Sequence, residues 1–308
     1  MKETILVTGC AGFIGSNLVE SLLEKGYNVK GIDDLSTGNI ENIKNLDFEF
    51  SEGNINDKEL LSKILPGVDF ILHQAAIPSV PRSIDNPEAS NHANVNGTLN
   101  LLLCAKDAGV KRVVFASSSS VYGNSPTLPK KEDMPVGPLS PYALTKYAGE
   151  RYCQLFNDIY GLETVALRYF NVFGPRQNPD SQYSAVIPKF IKQMLKNESP
   201  TIYGDGETSR DFSFIQNVID ANILAMKAAP DACGKVFNIA TGHRISLNDL
   251  VGLMNKILGK DIKPRYEDER AGDVKHSLAD ISQARLLLNY RPAVQIEEGL
   301  KATIATMR

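Results

Sequence analysis

The sequence is short of the features that would tie it to a metal, a membrane or a nucleic acid. Its four cysteines, Cys10, Cys104, Cys153 and Cys233, lie far apart and form no CxxC pair. That spacing argues against a zinc site and against a disulfide framework, and it predicts a reducing compartment. No apolar stretch approaches the roughly 20 residues needed to cross a bilayer. Charge of one sign is not in excess: the formal net charge is −3, and the 33 basic residues are spread without runs. Nothing therefore presents a nucleic-acid surface. His73, His92, His243 and His276 show no ligand spacing, so no metal is expected. Internal repeats and low-complexity tracts are missing too. Met1-Lys2-Glu3-Thr4 leads straight into a strand-like run, without the basic, apolar and cleavage segments of a leader, and a cytoplasmic protein is expected. The stretch Lys130-Lys131-Glu132-Asp133 reads as a solvated loop.

What is present suits a large α/β core. At 43% hydrophobic and 22% charged residues, 308 residues can fill one large α/β domain or two domains. Thr4-Ile5-Leu6-Val7-Thr8 reads as a buried strand, followed by glycines and an amphipathic run from Phe13 to Lys25 that stops at Gly26. A second strand, Tyr27 to Ile32, ends at Asp33-Asp34. A short helix from Asp57 to Leu65 leads to a third strand, Val68 to Leu72. A long helical pattern from Pro87 to Ala108 closes at Gly109, and Arg112 to Ala116 is another buried strand. This rhythm predicts a Rossmann-type, doubly wound parallel sheet with helices on both faces. After Arg168 the rhythm loosens. Residues 1–172 are expected to form the dinucleotide-binding domain, with return segments around 211–240, and 173–308 a smaller mixed α/β substrate domain.

Gly9-Cys10-Ala11-Gly12-Phe13-Ile14-Gly15 follows the first strand and opens the first helix. Glycines there let backbone N–H groups approach a pyrophosphate and let the helix pack closely on the strand. The spacing is GxxGxxG, which alone also fits an ordinary strand-to-helix turn. Asp33, about 20 residues on, supplies the carboxylate for the adenosine ribose hydroxyls, and it would repel a 2′-phosphate. The expected cofactor is NAD.

Tyr142 and Lys146 lie four apart in Ser140-Pro141-Tyr142-Ala143-Leu144-Thr145-Lys146, on one face of a helix with Pro141 in its first turn. A phenol ionises near pH 10, so it needs cations nearby to serve as a base; a neighbouring ammonium and a positive nicotinamide both favour the phenolate. Spacing alone equally fits an ordinary pair on a helix surface. The serine run Ser117-Ser118-Ser119-Ser120 at the preceding strand end, on the side where such sheets bind ligands, favours a reactive site.

Together these residues resemble the extended short-chain dehydrogenase/reductase family, over essentially the whole chain from Gly9 to Asp280, and within it the UDP-hexose 4-epimerases. Supporting segments are His73-Gln74-Ala75-Ala76, Asn94-Val95-Asn96-Gly97-Thr98, Leu167-Arg168-Tyr169-Phe170-Asn171-Val172-Phe173-Gly174, Gly204-Asp205-Gly206, Ser209-Arg210-Asp211-Phe212 and Arg270-Ala271-Gly272-Asp273. The resemblance implies that Tyr142 is the base, that Ser118 shares the proton of the sugar 4-hydroxyl, and that Lys146 holds the nicotinamide ribose. It places Gly9, Gly12, Phe13, Ile14, Gly15, Asp33, Asp34, Thr37, Gly38, Asn54, Ile55, Gln74, Ala75, Ala76, Tyr169 and Val172 around NAD, together with Tyr142 and Lys146. Asn54-Ile55 stands where the family has Asp-Ile. Asn171, Arg210 and Arg270 are implied at the UDP phosphates and Tyr203 near uracil. Ser119, Ser120, Gln177, Ala185, Val186, Asp273 and Ser277 are implied around the rest of the substrate.

The implied reaction is transient oxidation at C4: the tyrosinate removes the hydroxyl proton, hydride passes to NAD, the 4-keto sugar turns over, and hydride returns to its other face. Relatives that dehydrate or decarboxylate carry an Asp-Glu pair or a lone Glu directly after the catalytic hydroxyl. Ser119 and Ser120 hold those places here and cannot titrate near neutral pH. Ser277 replaces a bulky tyrosine that would exclude an acetamido group, so UDP-GlcNAc/UDP-GalNAc should fit alongside UDP-Glc/UDP-Gal. Pro78 stands where the acetamido-accepting group has glycine, which leaves the preference open. The alternatives are a UDP-glucuronate 4-epimerase and, from another class, a non-catalytic NAD-binding regulator. A homodimer is expected, paired through the long helix and the helix carrying Tyr142.

Overall fold

The computed structural model describes residues 2–179, 185–269 and 274–308. Arg270 and Asp273 lie outside the described residues. In the first half the elements are β1 (Thr4–Thr8), α1 (Phe13–Glu24), β2 (Asn28–Asp33), β3 (Glu49–Glu52), α2 (Lys58–Ile64), β4 (Phe70–His73), α3 (Val80–Asp85), α4 (Pro87–Asn91), α5 (Gly97–Asp107), β5 (Arg112–Ser118), α6 (Pro141–Tyr160) and β6 (Glu163–Tyr169). There follow β7 (Val172–Phe173), α7 (Val186–Leu195), β8 (Thr201–Tyr203), β9 (Ser209–Arg210), β10 (Ser213–Phe214), α8 (Ile215–Lys227), β11 (Lys235–Ile239), β12 (Ile245–Ser246), α9 (Leu247–Leu258), β13 (Arg265–Glu267), α10 (Ser282–Leu287) and α11 (Ile296–Met307).

Seven parallel strands form the central sheet in the order β11-β6-β5-β4-β1-β2-β3. The inner strands are apolar on both faces because helices cover both: Ile5, Val7 and Leu72 enter the core shared with α1 and α8, whereas Leu6 and Ile71 enter the core shared with α2 and α5. The chain leaves β1 toward β2 on one side and returns to β4 on the other. This reversal opens a crevice at the carboxyl ends of β1 and β4, the place where such sheets take ligands. A third apolar cluster, with Phe173, Phe190, Met194, Leu250, Met254 and Leu300, joins α7, α9 and α11.

Three features differ from the sequence reading. β3 adds an edge strand between β2 and α2 that the pattern missed. Its residues Glu49-Phe50-Ser51-Glu52 are only half-buried at best, so they lack an apolar run. The long helix from Pro87 is interrupted by a π-helical turn, His92–Asn96, between α4 and α5. Lys130 is buried rather than solvated, because its backbone bonds Leu278 O and Asp280 N, and the Glu132 carboxylate accepts from Asn238 N at 2.7 Å.

Candidate active site

A cavity of about 950 Å³ occupies the crevice. Its floor is the loop after β1. Gly9 has φ +68°, and a Cβ on Gly15 would lie 2.0 Å from Gly9 O, so the start of α1 packs against the loop at a distance only glycine allows. Gly12 caps α1 without any side-chain hydrogen bond. The first-turn amides, at Phe13 and Ile14 on the cavity wall, are thus left for an anion.

Asp33 ends β2 on the opposite wall. Its Oδ2 accepts from Ala11 N at 2.9 Å and its Oδ1 from Leu35 N at 2.8 Å, so the carboxylate also braces the glycine loop. Burial pushes its pKa up, against those backbone bonds. Beside it, Asp34 Oδ2 accepts from Asn54 Nδ2 at 2.6 Å. Thr37, Ile55, Ala75 and Ala76 complete this end of the cavity, whereas Gly38 lies behind Asp33, where a Cβ would meet Oδ1 at 2.7 Å. Gln74 and Tyr169 meet through Asn222: Gln74 Nε2 and Asn222 Nδ2 both donate to the phenol oxygen, at 3.3 and 2.8 Å.

Between these walls His73 is locked. Thr98 Oγ1 donates to Asn94 O, so it accepts from His73 Nε2–H at 3.0 Å. Thr8 Oγ1 accepts from Ala75 N and donates to Nδ1 at 2.7 Å. Burial, with the Lys146 charge nearby, pushes the imidazole down to about 3, and it stays neutral.

The N-cap of α6, Ser140, accepts from Ala143 N, and Ser83 Oγ accepts from Tyr142 N at 2.9 Å, so the first turn is held at two points. Asn94, placed by the π turn, donates to Thr145 Oγ1 at 3.0 Å and ties α6 to the backbone of Ile77. The Tyr142 phenol faces the Ser118 hydroxyl. Lys146 is buried, with Nζ donating to Ala116 O at 2.8 Å and 5.9 Å from the Tyr142 ring centroid. Desolvation lowers the lysine to about 8 and raises the tyrosine, although the Ser118 hydroxyl lowers the latter. Burial thus opposes ionisation of the phenol.

Of the serine run, Ser118 Oγ accepts from Ser120 N and Ser120 Oγ at 3.2 and 2.9 Å, whereas Ser117 Oγ turns inward to Glu150. The second half brings other site residues together. Asn171 Nδ2 donates to Asp211 O, Ser277 N donates to Ser209 O, and Arg210 Nη1 donates to Ser209 O and Lys275 O. Asn171, Arg210 and Ser277 therefore share one neighbourhood outside the cavity lining. Val172, Ala185, Val186 and Tyr203 also stand outside that lining, and Gln177 belongs to it. Gln177 Oε1 is buried there without a hydrogen-bond partner.

Sequence reasoning missed Arg82 and Arg176, two cations on the cavity wall. Arg176 also donates to Ser16 O and pairs with Glu20 across α1 at 2.8 Å. The signal for it was available in Gly174-Pro175-Arg176, directly after the strand-like Val172-Phe173. The uncapped amides and the glycine cradle fit the anionic pyrophosphate of a dinucleotide, whereas the orphaned Gln177 oxygen is an acceptor that a hydroxyl or amide donor of the ligand would satisfy. Phe13, Ile14, Asp33, Gln74 and Lys146 all line this cavity.

A model of the NAD dependent epimerase/dehydratase family matches residues 5–240. A UDP-glucose 4-epimerase of Mycolicibacterium smegmatis is 40% identical over 311 residues, covering 98% of this chain and 98% of its own. The structure of a UDP-N-acetylglucosamine 4-epimerase from Methanobrevibacter ruminantium, in complex with UDP-N-acetylmuramic acid, is 43% identical with TM-score 0.95, covering 100% of this chain and 99% of that one. A UDP-glucuronic acid 4-epimerase from Bacillus cereus, in complex with UDP-glucuronic acid and NAD, is 36% identical with TM-score 0.90, covering 99% and 98%. The chain belongs to the NAD-dependent epimerase/dehydratase family of extended short-chain dehydrogenase/reductases.

Proposed function

We propose that this chain is an isomerase that inverts C4 of UDP-hexoses, interconverting UDP-GlcNAc with UDP-GalNAc and UDP-Glc with UDP-Gal. The observation that carries the reading is the hydroxyl pair Ser118–Tyr142 beside Lys146, with serines at 119 and 120. Bound NAD supplies a reversible acceptor for the hydrogen on C4. The chain's own groups move the proton: Tyr142 takes it from the 4-hydroxyl, Ser118 aligns the two oxygens, and Lys146 supplies the cation that favours phenolate. The same groups return the proton after the 4-keto sugar has turned over. A dehydratase needs an acid for the departing hydroxyl, and neither Ser119 nor Ser120 titrates near neutral pH.

Asn171 and Arg210 are assigned to the diphosphate, together with Arg270. Ser277, held against Ser209 beside Arg210, leaves room for a C2 acetamido group. The 43% identical UDP-N-acetylglucosamine 4-epimerase supports that choice. The second reading, a UDP-glucuronate 4-epimerase, is supported by the 36% identical relative. Incubation with UDP-GlcNAc, UDP-Glc and UDP-GlcA separately decides between them: the proposal expects 4-epimers of the first two, and turnover of UDP-GlcA alone would replace it.

We also assign a homodimer. Val80 and Ile84 of α3 and Leu144, Leu155 and Ile159 of α6 are apolar yet 37–65% exposed. The two helices pack side by side, so these residues belong to one face that a second copy would cover.

A further inference from the structure

Three successive residues of β5 each face a residue of α6. Ala116 O accepts from Lys146 Nζ, Ser117 Oγ donates to Glu150, and the Ser118 hydroxyl faces the Tyr142 phenol. Tyr142, Lys146 and Glu150 follow one another at intervals of four on a single helical face. A carboxylate four residues from an ammonium is in the position where the two ordinarily pair. Here they do not. Glu150, 1% exposed, is gripped instead by Arg168 of β6, which is paired in register with Ser117. Arg168 Nε and Nη2 each donate to one carboxylate oxygen at 2.8 Å, in a two-pronged fork. The guanidinium lies 4.6 Å from the Tyr122 ring centroid, yet its Nη1 is buried without a hydrogen-bond partner. A buried ion pair with an unsatisfied N–H is poorly explained as a stability device, since apolar side chains of similar volume usually do as well.

We propose that Arg168 is a positioning residue: its fork holds the Glu150 carboxylate away from Lys146, so that the ammonium stays on Ala116 O beside Tyr142. Around Lys146 are the Phe115 and Tyr142 rings, His73 on β4 and the Cys153 thiol on α6; the Glu150 carboxylate acts on that same thiol and is gripped by Arg168 on β6. His73 is neutral and burial keeps the Cys153 thiol protonated, so Glu150 is the anion able to capture the ammonium. Captured, Lys146 would hold its proton more tightly and no longer favour the Tyr142 phenolate. This proposal rests on the assignment of Tyr142 as the base, but its first test does not.

The test compares wild type, Arg168→Met and Arg168→Met/Glu150→Gln. Titration of Lys146 in the cofactor-free protein, followed by ¹³Cε NMR with Lys146→Arg for assignment, reads the charge relation without any turnover. Arg168→Met should bind the Lys146 proton at least tenfold more tightly, and the double variant should return within threefold of wild type. In the holoenzyme, kcat of Arg168→Met should fall at least tenfold with KM within threefold, and the acid limb of its pH profile should move up. The double variant, which buries no unpaired carboxylate and folds even where the single one does not, should recover kcat to within threefold. A folded double variant with kcat down tenfold or more, or an unmoved Lys146 titration in Arg168→Met, would overturn the proposal. Absence of epimerisation in wild type would instead refute the functional reading and leave the NMR comparison to decide this one.

Discussion

Replacing Gly15 by alanine tests the cofactor cradle at its tightest point. The added Cβ would lie 2.0 Å from Gly9 O, 2.8 Å from Gly9 C and 2.9 Å from Cys10 Cα. That is roughly 1.5 Å inside the ~3.5 Å at which carbon contacts become favourable. All three obstacles are backbone, so no side chain can swing away, and either the loop or α1 must shift by more than 1 Å. Overpacking of this kind costs typically about 1–3 kcal/mol. Here most of that cost falls on the loop that meets the pyrophosphate, so the NAD Kd should rise by at least tenfold, since 1.4 kcal/mol corresponds to that factor. Gly137→Ala is the control, because its Cβ meets nothing within 4 Å. Calorimetric titration with NAD of protein stripped of nucleotide would measure both variants. Wild-type affinity in Gly15→Ala would refute the cradle.

Other consequences are open to measurement. Tyr142→Phe should lower kcat at least ~100-fold while leaving NAD affinity within threefold; undiminished biological activity in that variant would favour a regulator. Lys146 sits at about 8 in the fold against about 10.4 unfolded, so below pH 8 both states hold the proton and the full desolvation cost stands. Between pH 8 and about 10.4 only the unfolded chain binds it, and stability rises with pH. Lys146→Met should therefore stabilise the empty protein at pH 7 by about 1–2 kcal/mol in denaturant melts, an advantage that fades toward pH 10. Leu144→Glu/Ile159→Glu should yield a monomer by light scattering, and unchanged mass would count against this face as the dimer contact. Ser277→Tyr should reduce kcat/KM for UDP-GlcNAc at least tenfold more than for UDP-Glc, as read from product ratios.

Much of the sheet was legible because its inner strands are buried on both faces and read as apolar runs, Ile5 to Val7 and Val113 to Phe115 alike. β3 was not, because an edge strand needs no such run and Glu49-Phe50-Ser51-Glu52 has none. The break in the long helix is a tertiary event: the π turn places Asn94 against Ile77 and Thr145, which are distant in sequence. Lys130 looked solvated since a charged tetrapeptide normally is, but pairing with residues 278–280 pulls its stem inside. The cofactor loop and the Tyr142–Lys146 spacing are local patterns and could be read directly. The grip of Arg168 on Glu150 could not, because on α6 alone Glu150 looks like an exposed partner for Lys146.

The central claim of the proposed function is that C4 is oxidised and reduced again within one site. UDP-GlcNAc carrying deuterium at C4, incubated with the purified protein in ordinary water, tests it most directly. The account predicts UDP-GalNAc that retains the deuterium at C4, because the atom removed is the atom returned. Epimer with hydrogen from water at C4, or no epimer at all even after NAD is added, would contradict it.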